Sequence, residues 1–223
     1  MATLIAYFER IKLLKLLTIM LKSSVVSLEV FFLTLIFSIP FALLICMGRM
    51  SRIKFISATT NIFMLIIRGT PLMLQLIFVY FAPAVIFHKG LGRFAAAIVA
   101  MVINYACYFA EIYRGGIQSI PEGQYEASKV LGFTKAQTFM RVVLPQLVKK
   151  IIPPLGNEVI TLVKDTALVQ VLGVVELFHV AQTQSGRLVS VVPLFIAGLF
   201  YFIMNWGVSK FFDIVEKKLD YYK

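Results

Sequence analysis

An all-α integral membrane protein with about five transmembrane helices is the fold class this sequence predicts, on three observations. First, 60% of its 223 residues are apolar and only 15% are charged, against about 25% charged in an ordinary soluble domain. Mean hydropathy is +0.87, more apolar surface than a soluble globule of this size could bury, so lipid is the expected solvent. Second, apolar runs recur at the length a span needs, about 20 residues. They leave no room for a sizeable soluble domain. Third, 22 Lys and Arg face 11 Asp and Glu, a formal net charge of +11, as suits basic loops beside anionic headgroups. Nucleic acid is not an expected partner, because no basic stripe is interleaved with aromatics. Cys46 and Cys107 lie within apolar runs and read as buried free thiols, not as a disulfide or a metal site.

Residues 1–22 set Arg10, Lys12, Lys15 and Lys22 among leucines. This amphipathic segment is expected to lie at the interface and lead into the first span, over 24–47. Arg49, Arg52 and Lys54 follow it. Residues 55–87 are apolar but broken at Arg68-Gly69-Thr70-Pro71, where Pro71 removes a backbone donor. An elbow or half-helix is expected first, then a span over 72–87. A short turn over 88–93 precedes the third span, 94–113.

Residues 114–150 form a polar loop that still carries helix signals. Ser119-Ile120-Pro121-Glu122 and Thr134-Lys135-Ala136-Gln137 read as capping boxes. Gly132 reads as a helix C-terminus, and Pro145 as the close of the second short helix. The fourth span, 151–177, is interrupted by Asn157, Glu158, Thr161, Lys164 and Asp165. The fifth runs over 188–208, with Trp206 placed as an interfacial anchor. One transmembrane domain over 1–223 is therefore expected. Placing the long loop and the C-terminus in the cytoplasm collects thirteen basic residues on that side against seven on the other, as the positive-inside rule prefers.

The long loop carries the most specific pattern. Glu126-Ala127-Ser128 is followed by three residues, Gly132, nine residues, Val142, one residue and Leu144-Pro145. Arg68-Gly69-Thr70-Pro71-Leu72-Met73-Leu74-Gln75, the run from Ala110 to Pro121, and Lys164-Asp165-Thr166-Ala167-Leu168 accompany it. These motifs resemble the transmembrane permease subunits of type I ABC importers, in the branch that takes up polar amino acids. Ser128 and Val142 depart from the family's Ala and Ile, conservatively in volume. The resemblance covers the chain from Ser24 onward. It implies the permease fold and a loop docked in a cleft of the ATPase subunit through Glu122, Tyr125, Glu126, Ala127, Ser128, Leu131, Gly132 and Arg141. It also implies two ATPase copies, a second permease copy as a homodimer, an extracytoplasmic binding protein, and a bacterial-type cytoplasmic membrane. No phosphate-binding Gly-x-x-x-x-Gly-Lys-Ser/Thr motif occurs. ATP and Mg are thus expected on the partner, with no catalytic site, cofactor or metal in this chain.

Polar groups at membrane depth are expensive and mark candidate paths. Met101, Asn104, Tyr108 and Glu111 share one face of the third span, and Glu158, Thr161 and Asp165, with Asn157 alongside, share one of the fourth. A shared wet cavity is one reading and hydrogen bonding that merely holds helices together is the other; Glu111 also has Arg114 within one turn. The break at Gly69-Thr70-Pro71, with Thr70 and Gln75, offers helix-start N–H groups for a substrate carboxylate. Acidic residues outnumber basic ones among these groups, which favours a cationic side chain such as arginine or lysine, with glutamine open. An ion-coupled secondary transporter using Glu111, Glu158 or Asp165 is the alternative function.

Overall fold

The computed structural model describes the backbone of residues 2–219 and the side chains of residues 13–219; the side chains of Arg10 and Lys12, and Lys223, lie outside the described residues. The helices are α1 (Ala2–Arg49), α2 (Lys54–Gly69), α3 (Leu72–Phe87), α4 (Arg93–Gln118), α5 (Glu122–Val130), α6 (Lys135–Thr138), α7 (Leu144–Asp165), α8 (Leu177–Leu188) and α9 (Val192–Leu219). A π-helical turn, Phe139–Val143, joins α6 to α7, and a 3₁₀ turn, Thr166–Leu172, follows α7.

Among the described residues, Leu13–Arg49, Arg93–Gln118 and Val192–Leu219 are each long and apolar enough to cross a membrane; α2 and α3 pass only when taken together. The expected amphipathic segment and first span are one uninterrupted helix, with Pro40 inside it. The expected fourth span is not a single apolar helix. Its polar half ends α7 at Asp165, and the chain continues as a 3₁₀ turn to Gly173 in the left-handed region. The break ahead of α3 is present: Thr70 and Pro71 both take extended backbone angles.

The chain divides into two compact units, each discontinuous in sequence. One comprises α1 as far as Thr34, Pro71–Met101 and Leu162–Trp206. Its core gathers Leu16 and Met20 of α1, Leu177, Val180 and Ala181 of α8, and Ile196 and Ala197 of α9. In the same unit α3 lies along the 3₁₀ turn. The other comprises Leu35–Thr70, Val102–Thr161 and α9 from Gly207. Here α7 and α9 meet at Gly156, where a Cβ would come 3.0 Å from the Phe212 ring. Large apolar side chains stay exposed along the candidate spans, among them Phe32, Ile36 and Leu44 on α1 and Phe202, Ile203 and Trp206 on α9. That pattern is expected of surfaces solvated by acyl chains rather than water.

Candidate functional site

The loop after α4 is a rigid helical hairpin, and its local chemistry explains why. α5 starts after Pro121, whose φ of −59° suits a helix entry. Ser119 does not cap it: its hydroxyl turns back to donate to the Gly116 carbonyl, so the first expected capping box is not formed. Gly132 takes a φ of +75°, the left-handed value that lets the chain leave α5. The second capping box is complete: Gln137 N–H donates to Thr134 Oγ1 at 3.3 Å, and Thr134 N–H donates to Gln137 Oε1 at 2.8 Å. Pro145 does not close a helix. It lies inside a helical stretch that runs without a break from α6 through the π turn into α7, and that π turn, just before it, is where the backbone bonding adjusts.

Two faces of the hairpin differ. Ser128 is buried, and its hydroxyl donates to the Gln124 carbonyl at 2.6 Å. It therefore packs the hairpin rather than presenting itself to a partner. Glu122, Tyr125, Glu126, Ala127, Leu131 and Arg141 are exposed. Val130 is 87% exposed, Leu131 72% and Met140 60%. An apolar edge held outward on a capped, charged hairpin is what an interface looks like before its partner arrives.

The third-span face is realised on α4. Met101 and Asn104 are buried. Tyr108 lies beneath the Arg68 guanidinium, whose central carbon is 5.4 Å from the ring centroid, a cation–π distance. Glu111 is held by two cations. Arg114 donates through Nε at 3.1 Å and through Nη2 at 2.5 Å, and Arg68 Nη1 stands 3.7 Å from Oε2. Arg114 also donates to Gln118. Glu111 thus closes a small ionic cluster with α2 rather than standing as an isolated negative charge. Arg68, the residue just before Gly69 at the break, is the member whose role sequence reasoning understated.

On α7, Asn157 is exposed, while Glu158, Thr161 and Asp165 are half-buried. Thr161 donates to the Asn157 carbonyl at 3.0 Å, and Thr70 to the Ile66 carbonyl at 2.9 Å. Both hydroxyls are thereby engaged within their own helices. Gln75 lies in the first turn of α3, its N–H donating to the Pro71 carbonyl at 3.3 Å. The candidate path residues fall in both units: Gln75, Met101 and Asp165 in one, and Thr70, Asn104, Tyr108, Glu111, Asn157, Glu158 and Thr161 in the other.

Sequence reasoning passed over Glu176. It is fully buried. Its Oε1 accepts from His179 N–H at 2.7 Å. Its Oε2 accepts from Phe178 N–H at 2.7 Å, Tyr201 Oη at 3.0 Å and Ser27 Oγ at 3.3 Å. The carboxylate caps α8 and ties it to α1 and α9. Its only sequence signal is one acidic residue ahead of Leu177 in an otherwise apolar run.

The model for binding-protein-dependent transport system inner membrane components matches residues 35–221. The chain belongs to this family. The L-cystine transport system permease protein TcyB of Bacillus subtilis is 37% identical over 193 residues, 85% of this chain and 82% of that protein. The octopine transport system permease protein OccM of Rhizobium radiobacter is 32% identical over 196 residues, 81% and 79% of the two chains. A crystal structure of an amino acid ABC transporter with histidines is 32% identical and superposes with a TM-score of 0.85, covering 93% of this chain and 97% of that one. The family resemblance read from the loop motif therefore holds, and so does the all-helical importer-permease fold. This is a membrane-embedded amino-acid ABC transporter permease, a transport subunit of the kind whose ATPase and binding protein are separate partners.

Proposed function

We propose that the chain is the membrane half of an ATP-driven importer for a polar amino acid. Two copies pair, each docked through residues 121–141 onto one of two ATPase subunits that bind ATP and Mg, with an extracytoplasmic receptor delivering the substrate. The loop and the C-terminus face the cytoplasm of a bacterial-type membrane, on the distribution of basic residues. The observation that carries this reading is the hairpin: Val130, Leu131 and Met140 are exposed on an element that Ser128 and the Thr134 capping box hold rigid. A stiff apolar edge can transmit the ATPase stroke; a floppy one would absorb it. Gly132 sits at the turn of that edge.

The substrate class is an α-amino acid, as the names of the relatives suggest; the substrates cystine and octopine belong to TcyB and OccM. The path is assigned to Thr70, Gln75, Met101, Asn104, Tyr108, Asn157, Glu158, Thr161 and Asp165. Glu111 is assigned to holding α4 against α2, because two guanidiniums already share its charge. Recognition of a cationic side chain is assigned to Glu158 and Asp165, the acidic residues that recur on one face of α7. Replacing either with its amide is expected to weaken uptake of arginine or lysine about tenfold while leaving glutamine uptake within twofold; equal losses for both classes would remove them as selectivity groups.

The deciding experiment is co-purification of the chain from its native membrane in mild detergent, followed by reconstitution with its receptor. The wild type should bring an ATPase subunit and support ATP-driven uptake. Leu131→Asp and Gly132→Asp should insert normally and lose both. ATP-independent uptake driven by an ion gradient, unchanged in these variants, would overturn the reading.

A further inference from the structure

An α-amino acid carries a carboxylate whatever its side chain. The residues assigned to the path include two carboxylates, Glu158 and Asp165, and no cation. A substrate carboxylate moving among them, away from bulk water, needs a partner of its own. Arg68 stands against that set. Its guanidinium carbon is 5.4 Å from the centroid of the Tyr108 ring, and Tyr108 is a path residue. Arg68, Thr70, Asn104, Tyr108 and Glu158 belong to the same compact unit.

The charges around Arg68 do not cancel. Arg114 reaches both oxygens of Glu111, through Nε at 3.1 Å and Nη2 at 2.5 Å. Arg68 Nη1 is 3.7 Å from Glu111 Oε2, an ionic contact beyond hydrogen-bond distance. Two guanidiniums against one carboxylate leave one positive charge in excess, and Arg68 has the looser grip. Its side chain is 38% exposed against 24% for Arg114. Stacking on Tyr108 orients the planar fork. A carboxylate taken through Nε and Nη2, in two parallel bonds, would leave the Nη1 contact to Glu111 in place. The N–H groups that open α3 are the competing host. Two of them, on Leu74 and Gln75, already donate to the Pro71 carbonyl at 3.0 and 3.3 Å, and a neutral N–H binds a carboxylate less strongly than a guanidinium does.

We propose that Arg68 recognises the substrate's α-carboxylate, with Arg114 keeping Glu111 satisfied beside it. This rests on the importer reading and deepens it: Arg68 is the group that makes the path select an α-amino acid over the corresponding amine. Tyr108 holds the guanidinium in position. Selection among side chains stays with Glu158 and Asp165.

The test is isothermal titration of the permease–ATPase complex in mild detergent, without the receptor. The probes are three amino acids and the amines that lack only their α-carboxyl groups: L-arginine and agmatine, L-glutamine and 4-aminobutanamide, L-cystine and cystamine. For at least one pair the wild type should bind the amino acid ten times more tightly than the amine, or better. Arg68→Gln should weaken the amino acid about tenfold, the worth of one charge-assisted contact, and leave the amine within twofold. Arg68→Lys, which keeps the charge, should recover at least threefold of the lost preference. Parallel loss of amino acid and amine in Arg68→Gln would mark a structural role and overturn the proposal. So would equal affinity of the wild type for both members of every pair, or no recovery in Arg68→Lys. A preference undiminished in Arg68→Gln would move the carboxylate to the N–H groups of α3 and leave the importer reading standing. A wild-type complex that binds none of the three amino acids would overturn that reading and the proposal with it.

Discussion

Glu176 and Glu111 are both carboxylates lodged in an apolar helical chain, and they are held by different means. Glu176 has no exposed surface and is surrounded by neutral donors: two backbone N–H groups and two hydroxyls. Glu111 keeps 28% of its side chain exposed and is held by two guanidiniums. The first arrangement surrounds the carboxylate with protein donors and leaves no water to compensate a lost bond. The second sits beside a helix break and can be rebuilt with solvent. Neutral, sealed satisfaction makes a bond that nothing can replace once broken; a partly wet ion pair makes one that water can replace.

Breaking each carboxylate should sharpen the contrast. Glu176→Leu removes a helix cap and strands several buried donors, and should cost about 3 kcal/mol. In a thermal-inactivation series in detergent it should be the most damaging of these changes. Glu111→Leu should cost only about 1 kcal/mol, because water can reach the two arginines it leaves behind. A loss for Glu111→Leu as large as for Glu176→Leu would refute the distinction. Salt provides a finer test. In 1 M salt, where the screening length is about 3 Å, the gap between wild type and Glu111→Leu should narrow while that for Glu176→Leu persists. Smallest of all should be Leu131→Asp, within about 0.5 kcal/mol in stability because the side chain is exposed, although it should cost ATPase docking.

The two carboxylates also separate what a reader of the sequence can reach. Glu111 and Arg114 are one helical turn apart, so their pairing was visible as an option; the Arg68 contribution came from a different helix. The tie from Glu176 to α1 and α9 is not legible in the sequence because those two partners lie far along the chain: Ser27 is 149 residues away and Tyr201 is 25. The loop shows the same division. The Thr134 capping box and the Gly132 helix end depend on atoms within a few residues, and both are realised. The Ser119 box failed because its hydroxyl found a nearer acceptor, the Gly116 carbonyl. Pro145 reads as a stop, yet the helix runs through it behind a π turn.

Composition alone determined that this chain lives in lipid, since no fold could hide so much apolar surface from water. Short-range stereochemistry determined the break at Thr70–Pro71 and the left-handed exit at Gly132, because a missing N–H or a missing Cβ acts within one turn. The loop spacing determined the family. Only the tertiary structure decided which polar groups are spent. It turned Ser128 inward, left Val130 and Leu131 exposed, gave Glu111 two cations, and buried Glu176 among donors from three helices. Whether a charge is free, shared or sealed depends on what packs against it, and that is settled by contacts between segments far apart in the chain.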